Sequence, residues 1–179
     1  MKYRRVYIRG GTYFFTLVTY ERQPLFQPKE SIDLLFDALQ YTTTRLPFEI
    51  VAYVILPDHM HFIWALPEGS DDYSTRWRLI KSYFTRHYKQ KGRAGVSESR
   101  KKKMEQDIWQ RRFWEHLIRD TIDLSRHVEY IHYNAIKHGY VNSLMEWEHS
   151  SFIQYVRDGL YPPNWGEITP VWSGTQFME

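Results

Sequence analysis

The sequence of 179 residues contains no cysteine. This absence excludes disulfide bonds, thiolate zinc sites, iron–sulfur clusters and cysteine nucleophiles, so a bound metal ion must have nitrogen and oxygen ligands. No run of 18 apolar residues is present, which excludes a transmembrane helix. The start of the chain also lacks the apolar stretch of a signal peptide. Together these absences favour an enzyme or a binding protein of the cytoplasm that has no membrane contact.

Positive charge is concentrated in one part of a chain whose net charge is only +3. Residues 74–120 hold 14 Lys and Arg against 5 acidic residues, whereas the remainder holds 10 against 16. Aromatic residues, which make up 17% of the chain, also occur among these basic residues. This combination is typical of proteins that stack unpaired bases and neutralise a phosphate backbone. A solvated helix face followed by a flexible basic loop over 89–106 explains the charge equally well.

Hydrophobic periodicity predicts a mixed chain. Alternating or continuous apolar runs predict strands over 12–20, 48–56, 59–66 and 108–118. Spacings of three and four predict helices over 32–44, 77–88 and 120–139, and a closing helix over 147–161. Pro57 and Asp58 predict a turn that makes the second and third strands a β-hairpin. The fold class that follows is α+β, a single domain with a central antiparallel sheet flanked by helices.

Two histidines separated by a single residue lie on the third predicted strand. His59 and His61 share a face because side chains alternate along a strand, and Met60 points to the opposite face. Their backbones are roughly 6.6 Å apart, so the two imidazoles can converge on one divalent ion. One buried and one surface histidine would give the same pattern, although the apolar neighbours mean that both rings need compensation.

A second chemistry-bearing pair lies on the predicted helix over 120–139. Tyr130 and Asn134 are four residues apart and therefore share one face, beside the apolar stripe of the helix. A phenol is a usable nucleophile when a nearby cation favours its ionised form. The amide of Asn134 offers a carbonyl oxygen as a ligand. Ordinary contacts at the edge of the core are the alternative, because the chain has 14 tyrosines.

Several motifs, taken in order, resemble one known family. They are residues 56–64 (LPDHMHFIW), 113–116 (FWEH) and 130–139 (YIHYNAIKHG), together with 3–5 (YRR), 10–16 (GGTYFFT) and 47–50 (PFEI). The chain is similar in these segments to the REP-associated tyrosine transposases, which are single-tyrosine relatives within the HUH endonuclease superfamily. The resemblance runs over most of the chain. It departs from the family at Ala135, where a proline is usual.

The resemblance implies a fold, a reaction and a site. It implies a ferredoxin-like HUH domain over 1–161 and a C-terminal tail over 162–179. His59 and His61 look like the metal-binding pair, Asn134 like the third ligand and Tyr130 like the catalytic nucleophile. With such ligands Mg²⁺ or Mn²⁺ is expected, and Mn²⁺ suits the imidazole nitrogens better. The implied reaction cleaves and rejoins single-stranded DNA at hairpins of the REP or BIME type through a 5′-phosphotyrosine.

Other residues receive predicted roles from their charge and position. Lys137 and His138 are candidates for proton transfer or phosphate binding, although complementation of the negative end of the helix is the favoured explanation of both. The residues predicted to contact DNA are basic: Arg4, Arg5, Arg76, Arg78, Lys81, Arg86, Arg111 and Arg112.

Two rival functions stay open at this point. One is a protein that binds DNA hairpins and no longer uses its active site. The other is a metal-dependent hydrolase of small phosphoesters, which the sequence disfavours because the usual additional carboxylate ligands are missing and the basic segment has no role. The resemblance favours a monomer in the bacterial cytoplasm, associated with the nucleoid, and leaves a dimer open.

Overall fold

In a computed structural model of the protein, which describes residues 5–89 and 107–166, four strands form one antiparallel sheet. In chain order the strands are β1 (Thr12–Val18), β2 (Glu49–Ile55), β3 (His59–Ala65) and β4 (Trp114–Leu117). They lie side by side in the order β2-β3-β1-β4. The helices are α1 (Lys29–Arg45), α2 (Tyr73–His87), α3 (Thr121–Lys137) and α4 (Phe152–Arg157). The predicted α+β class with a central antiparallel sheet is confirmed.

Each central strand sends alternate side chains into two separate cores. On β3, Met60, Phe62 and Trp64 belong to the core that α1 and α2 cover. Ile63 belongs to the core under α3. His59 and His61 therefore share the α3 side of the sheet, as the predicted alternation requires. In the antiparallel register, His61 lies opposite Thr16 of β1.

Helix α3 begins and ends where its sequence signals predict. The side chain of Asp120 accepts a hydrogen bond from the backbone N–H of Asp123 at 2.8 Å, which satisfies a donor of the first turn. Gly139 follows the helix with φ of +71°, a conformation that only glycine adopts without strain. The helix packs on the sheet through Val128, Ile131 and Ala135. Because both ends are fixed by local sequence, the face that carries Tyr130 and Asn134 is fixed too.

The last predicted strand is wrong over residues 108–113, because the strand is formed only by Trp114–Leu117. Trp109 makes one isolated bridge to Thr19. Its ring lies 5.8 Å from the ring of Phe26 and 5.2 Å from that of Phe84. A loop that folds over the end of β1 therefore buries these apolar residues, and a loop needs no strand alternation.

The predicted closing helix over 147–161 is also wrong in its extent, because α4 covers only Phe152–Arg157. The residues before it pair with the edge of β2. The backbone N–H of Ile55 donates to the carbonyl of His149 at 2.8 Å, and that of Ser151 donates to the carbonyl of Tyr53 at 3.0 Å. A backbone that pairs with a strand edge cannot be helical, so the helix begins later.

Two regions singled out in the sequence lie mainly outside the described residues. The basic loop over 89–106 is described only at Lys89. Of the tail over 162–179, residues 162–166 are described, and there the ring of Trp165 lies 4.6 Å from that of Tyr161. The domain boundary at residue 161 stays a prediction.

Candidate active site

His59 and His61 of β3 are the first two residues of the site. His59 and His61 are 1% and 0% exposed, and their ring centroids are 5.2 Å apart. The ring of His61 packs against Phe14 of β1 at 5.4 Å. Both imidazoles are therefore withdrawn from water, and their nitrogens need partners inside the protein.

One nitrogen of each ring already has a partner. Nδ1 of His61 lies 2.8 Å from Oγ1 of Thr16, and Nδ1 of His59 lies 2.6 Å from Oδ1 of Asp58. A carboxylate only accepts, so Nδ1 of His59 carries the hydrogen and its Nε2 carries a lone pair. Within the described ranges, Nε2 of each histidine is buried without a hydrogen-bond partner. The hydroxyl of Thr16 can accept from Nδ1 of His61, and in that tautomer Nε2 of both rings offers a metal ion a lone pair.

Burial keeps both imidazoles neutral. Desolvation lowers the pKa of His59, although the hydrogen bond with Asp58 opposes the shift. Desolvation holds the pKa of His61 well below its usual range, and electrostatic repulsion from the nearby His59 and Lys137, which opposes a second positive charge, acts in the same direction. A neutral imidazole is the form that binds a metal ion.

Asp58 is held in place by Arg22. Burial raises the pKa of Asp58, but the hydrogen bond from His59 and the ion pair with Arg22, at 3.2 Å, lower it by more. Arg22 follows Glu21 in a turn where both residues have φ of +51°. This left-handed conformation costs a non-glycine residue roughly 1–2 kcal/mol, and such strain is concentrated at functional sites. The strained turn places the guanidinium against the carboxylate that orients His59.

Tyr130 of α3 packs against His61. Its ring centroid is 5.2 Å from that of His61, and the residue is 5% exposed. The ammonium of Lys137, two turns further along α3, donates to the phenolic oxygen at 3.3 Å. A cation at this distance favours the phenolate, the nucleophilic form of tyrosine.

Asn134 supplies a third unpaired acceptor in the same region. The residue is fully buried, and its Nδ2 donates to the backbone carbonyl of Tyr130 at 3.3 Å. Only the amide nitrogen can donate to a carbonyl, so this contact fixes the orientation of the amide. Its Oδ1 has no hydrogen-bond partner in the part of the chain that the structure describes.

These donors fit a divalent cation. Two imidazole nitrogens and one amide oxygen suit Mn²⁺ or Mg²⁺, which take mixed or oxygen ligands and keep positions open for substrate. Three buried lone pairs without partners are costly in a folded protein unless an ion satisfies them. His138, which follows α3, places its ring 4.9 Å from that of His59 and so lies at the same site.

Three residues of this site have no predicted role in the sequence. Asp58 stands beside His59, but its sequence context indicates only a turn. Arg22 contacts Asp58 because of the backbone conformation of its turn, and Thr16 contacts His61 because of the strand register. Residue spacing reveals neither contact. A carboxylate next to a suspected ligand is the one signal that could have been used.

The predicted DNA-binding residues are spread over several environments. Arg78, Arg86, Arg111 and Arg112 are exposed. Lys81 donates to the carbonyl of Gln110 at 2.8 Å. Arg5 contacts Ser74 at 2.9 Å and lies 4.3 Å from the ring centre of Phe113. Arg4 lies outside the described residues.

The burial of Arg76 disagrees with its predicted role in DNA binding. It is only 3% exposed, and its guanidinium donates to the carbonyls of Leu46, Pro47 and Asp72 and to the hydroxyl of Ser70. Its bonds to Leu46 and Pro47 join α2 to the chain that follows α1, and those to Ser70 and Asp72 hold the start of α2. Its guanidinium is therefore not accessible to a DNA phosphate.

Comparison with known proteins places this architecture in a family. The family model described as "Transposase IS200 like" matches residues 8–134. The chain is 42% identical over 178 residues to the REP-associated tyrosine transposase of Escherichia coli K12, covering 99% of this chain and 98% of that protein. It is 44% identical over 164 residues to a Haemophilus influenzae protein provisionally named a REP-associated tyrosine transposase, covering 92% of each.

A solved structure shares the fold over the whole chain. It is the structure of a REP-associated tyrosine transposase bound to a REP hairpin, with 41% sequence identity and a TM-score of 0.78. The match covers 100% of this chain and 99% of that one. Among the described residues, no helix combines the length and apolar character needed to cross a bilayer. Family model, relatives and structure agree that this chain belongs to the IS200-like transposase family, among its REP-associated tyrosine transposases.

Proposed function

We propose that this protein cleaves and rejoins single-stranded DNA, with Tyr130 as the nucleophile and a divalent ion held by His59, His61 and Asn134. One observation carries the proposal. The unpartnered Nε2 atoms of His59 and His61 lie on the strand that faces the phenol of Tyr130, and Asn134, whose Oδ1 also has no partner among the described residues, lies one helical turn beyond that tyrosine. A ligand set and a nucleophile around one point are what phosphoryl transfer requires.

The residues divide the work of the reaction. Mg²⁺ or Mn²⁺ bound at the three ligands would neutralise negative charge on the scissile phosphate. The phenolic oxygen of Tyr130 attacks phosphorus, a Tyr–O–P bond forms, and the bond from phosphorus to the 3′ oxygen breaks. The phenol loses its proton, the 3′ oxygen takes up a proton and leaves as a hydroxyl, and the 5′ end stays on the enzyme as a phosphotyrosine. Attack by a 3′-hydroxyl reverses these steps, so rejoining needs no nucleotide cofactor.

Lys137 is the residue best placed to stabilise the ionised phenol of Tyr130. Its ammonium contacts the phenolic oxygen at 3.3 Å and also lies 4.9 Å from the ring centre. A fixed positive charge at this position stabilises the phenolate before attack. His138, beside His59, is placed to contact the phosphate or its proton. Both residues lie at the C-terminal end of α3, where a positive charge also complements the helix dipole.

The substrate we propose is a DNA hairpin of the REP type with a single-stranded flank. The related structure that carries a REP hairpin supports this class of partner. The exposed basic residues Arg78, Arg86, Arg111 and Arg112 supply phosphate contacts. We place the reaction in the bacterial cytoplasm, where DNA is available, and we propose a monomer because a single chain carries all the named groups.

A covalent-trapping experiment tests the proposal. A labelled REP-type hairpin with a single-stranded 5′ flank is incubated with the protein and Mn²⁺, and adducts are separated on a denaturing gel. Tyr130→Phe is expected to abolish the adduct and leave hairpin binding within a few-fold. Tyr133→Phe, on the same helix, is the matched control and retains the adduct.

Two results would contradict the proposal. An adduct that persists in Tyr130→Phe, or that peptide mapping assigns to another tyrosine, removes Tyr130 from the role of nucleophile. Tight hairpin binding without an adduct in Mg²⁺ or Mn²⁺ would instead support a protein that binds DNA hairpins and does not cleave them.

A further inference from the structure

We propose a second divalent-metal site, formed by His116, Asp123 and His127, for a transition ion such as Zn²⁺. His116 lies on β4, and the other two residues lie one turn apart on α3. The site goes beyond the proposed function, which uses none of these side chains.

The ligand atoms of the three residues are already close together. One nitrogen or oxygen from each lies within 4.8 Å of the others. Nε2 of His116 is 2.9 Å from Oδ2 of Asp123, and the two imidazole centroids are 4.6 Å apart. Ligands of one zinc ion lie roughly 3.3 Å apart, because the Zn–N bond is about 2.1 Å long. Closing the set around an ion therefore takes side-chain rotation and loss of the proton that Nε2 of His116 shares with Oδ2 of Asp123.

The surrounding contacts are those that metal ligands normally have. Nδ1 of His127 lies 2.7 Å from the backbone carbonyl of Asp123 and 3.2 Å from its Oδ1. While Nδ1 donates to the carbonyl, the lone pair of the ring is on Nε2. The carboxylate of Asp123 accepts from the backbone N–H of Arg119 at 3.0 Å and from its guanidinium at 3.3 Å. Ligating histidines commonly donate their second N–H to a carbonyl, and ligating carboxylates are themselves hydrogen-bonded.

The donor set and exposure define the class of ion. Two imidazoles and one carboxylate favour Zn²⁺, Co²⁺ or Mn²⁺ over Ca²⁺, which prefers oxygen ligands. The side chains of His116 and Asp123 are 25% and 11% exposed, which gives an ion a path of entry, whereas that of His127 is 3% exposed.

The position gives the second site a role in holding the nucleophile helix. The ring of Phe14 packs against His127 at 4.9 Å and against Tyr130 at 5.9 Å. Phe14 also contacts His61 and therefore lies between the two groups of ligands. An ion shared by His116 of β4 and two residues of α3 would tie the edge of the sheet to the first turns of that helix.

Metal titration of a full-length variant tests this site alone. The double variant His59→Ala/His61→Ala removes the first site, and Co²⁺ serves as the spectroscopic probe. We expect one Co²⁺ per chain, with visible absorption bands of nitrogen and oxygen ligation, and a higher melting temperature with Zn²⁺. Adding His116→Ala or Asp123→Asn is expected to weaken Co²⁺ binding at least about 100-fold. His87→Ala, at an exposed position of α2, is the matched control and leaves binding unchanged.

The outcomes separate this inference from the proposed function. Absence of Co²⁺ binding in the double variant overturns the second site, and so does binding that survives both added substitutions. Melting temperatures of the metal-free variants show whether each one is folded, and Asp123→Asn preserves the shape of the side chain. No DNA is present, so neither result depends on the reaction of Tyr130.

Discussion

The two faces of the sheet are built from the same strands and bury different chemistry. The face under α1 and α2 is lined with aromatic rings, among which Trp64 and Trp77 stack with centroids 3.9 Å apart. The face under α3 has apolar residues at one end and His59, His61 and Asn134 at the other, all almost completely buried.

This difference separates the stability of the protein from its reactivity. Large apolar side chains stabilise the fold when they leave water, whereas buried polar atoms without partners destabilise it. Such atoms are concentrated where local rules are broken for function. The α1/α2 face should therefore determine the free energy of unfolding, and the α3 face should determine metal binding and DNA cleavage.

The largest expected effect is on the aromatic face. Trp77→Ala removes a fully buried ring that packs against Trp64 and Phe15, and we expect a loss of about 3–5 kcal/mol in the free energy of unfolding. Urea denaturation of the metal-free protein measures it. Phe36→Ala, at a 37% exposed ring of α1, is the control and should cost far less. Equal losses in the two variants would remove the distinction between core and surface on this face.

The second prediction concerns the carboxylate behind His59. Asp58→Asn keeps the shape of the side chain but removes the charge that orients the imidazole, so Mn²⁺ affinity should fall by about 10–100-fold. Titration in a His116→Ala background confines the measurement to the first site. Asp33→Asn, which breaks an exposed ion pair with Lys29, should leave the affinity unchanged. An unaltered dissociation constant in Asp58→Asn would mean that the carboxylate does not orient the ligand.

The third prediction concerns the start of α2. Asp72 accepts a hydrogen bond from the backbone N–H of Thr75 at 2.8 Å. Burial raises the pKa of Asp72, but the hydrogen bonds from Thr75 outweigh burial and the pKa is lowered. We expect Asp72→Ala to cost about 1 kcal/mol near neutral pH, where the carboxylate is ionised.

The pH dependence of that difference has a defined sign. Because the folded-state pKa of Asp72 is depressed, its contribution is complete above the unfolded value of 3.8 and is lost as the pH falls through the folded value. The two denaturation midpoints should therefore converge in acid. A difference that persists at the lowest pH would show that the loss came from packing and not from the cap.

The smallest effect on stability is expected at the buried histidine. His61→Leu removes a ring whose Nε2 has no partner among the described residues, at the cost of the contact with Thr16. The metal-free protein should change by less than about 1 kcal/mol, because the two terms are of similar size and opposite sign. Mn²⁺ binding at the first site should be lost. Adding Thr16→Val removes the hydroxyl left behind, and a loss above about 3 kcal/mol in either variant would make His61 a structural residue.

Local sequence rules predicted the elements that carry the site. Strand alternation placed His59 and His61 on one face, and the helix period placed Tyr130 with Asn134. The rules failed at 108–113 and at 147–151, where apolar residues are buried by a loop and by pairing with a strand edge. Burial alone does not specify backbone conformation, so long-range contacts decided both segments.

The remaining contacts of the site depend on tertiary structure. The register of β1 against β3 brings Thr16 to His61, and a left-handed turn brings Arg22 to Asp58. The cluster of His116, Asp123 and His127 joins a strand to a helix across a loop. None of these contacts has a fixed sequence separation, which is why residue spacing does not reveal them. The burial of Arg76, despite its position in a basic segment, has the same origin.

The amide of Asn134 is attached to the turn of helix that carries Tyr130. The proposed nucleophile and the proposed ligand are thus parts of one rigid body, and neither can be repositioned without the other. A one-residue insertion after Asp123 would rotate this body by about 100° and remove both groups from the cleft together. Descendants of such a chain could lose the proposed reaction in a single genetic event, while the exposed basic residues of α2 stayed unchanged.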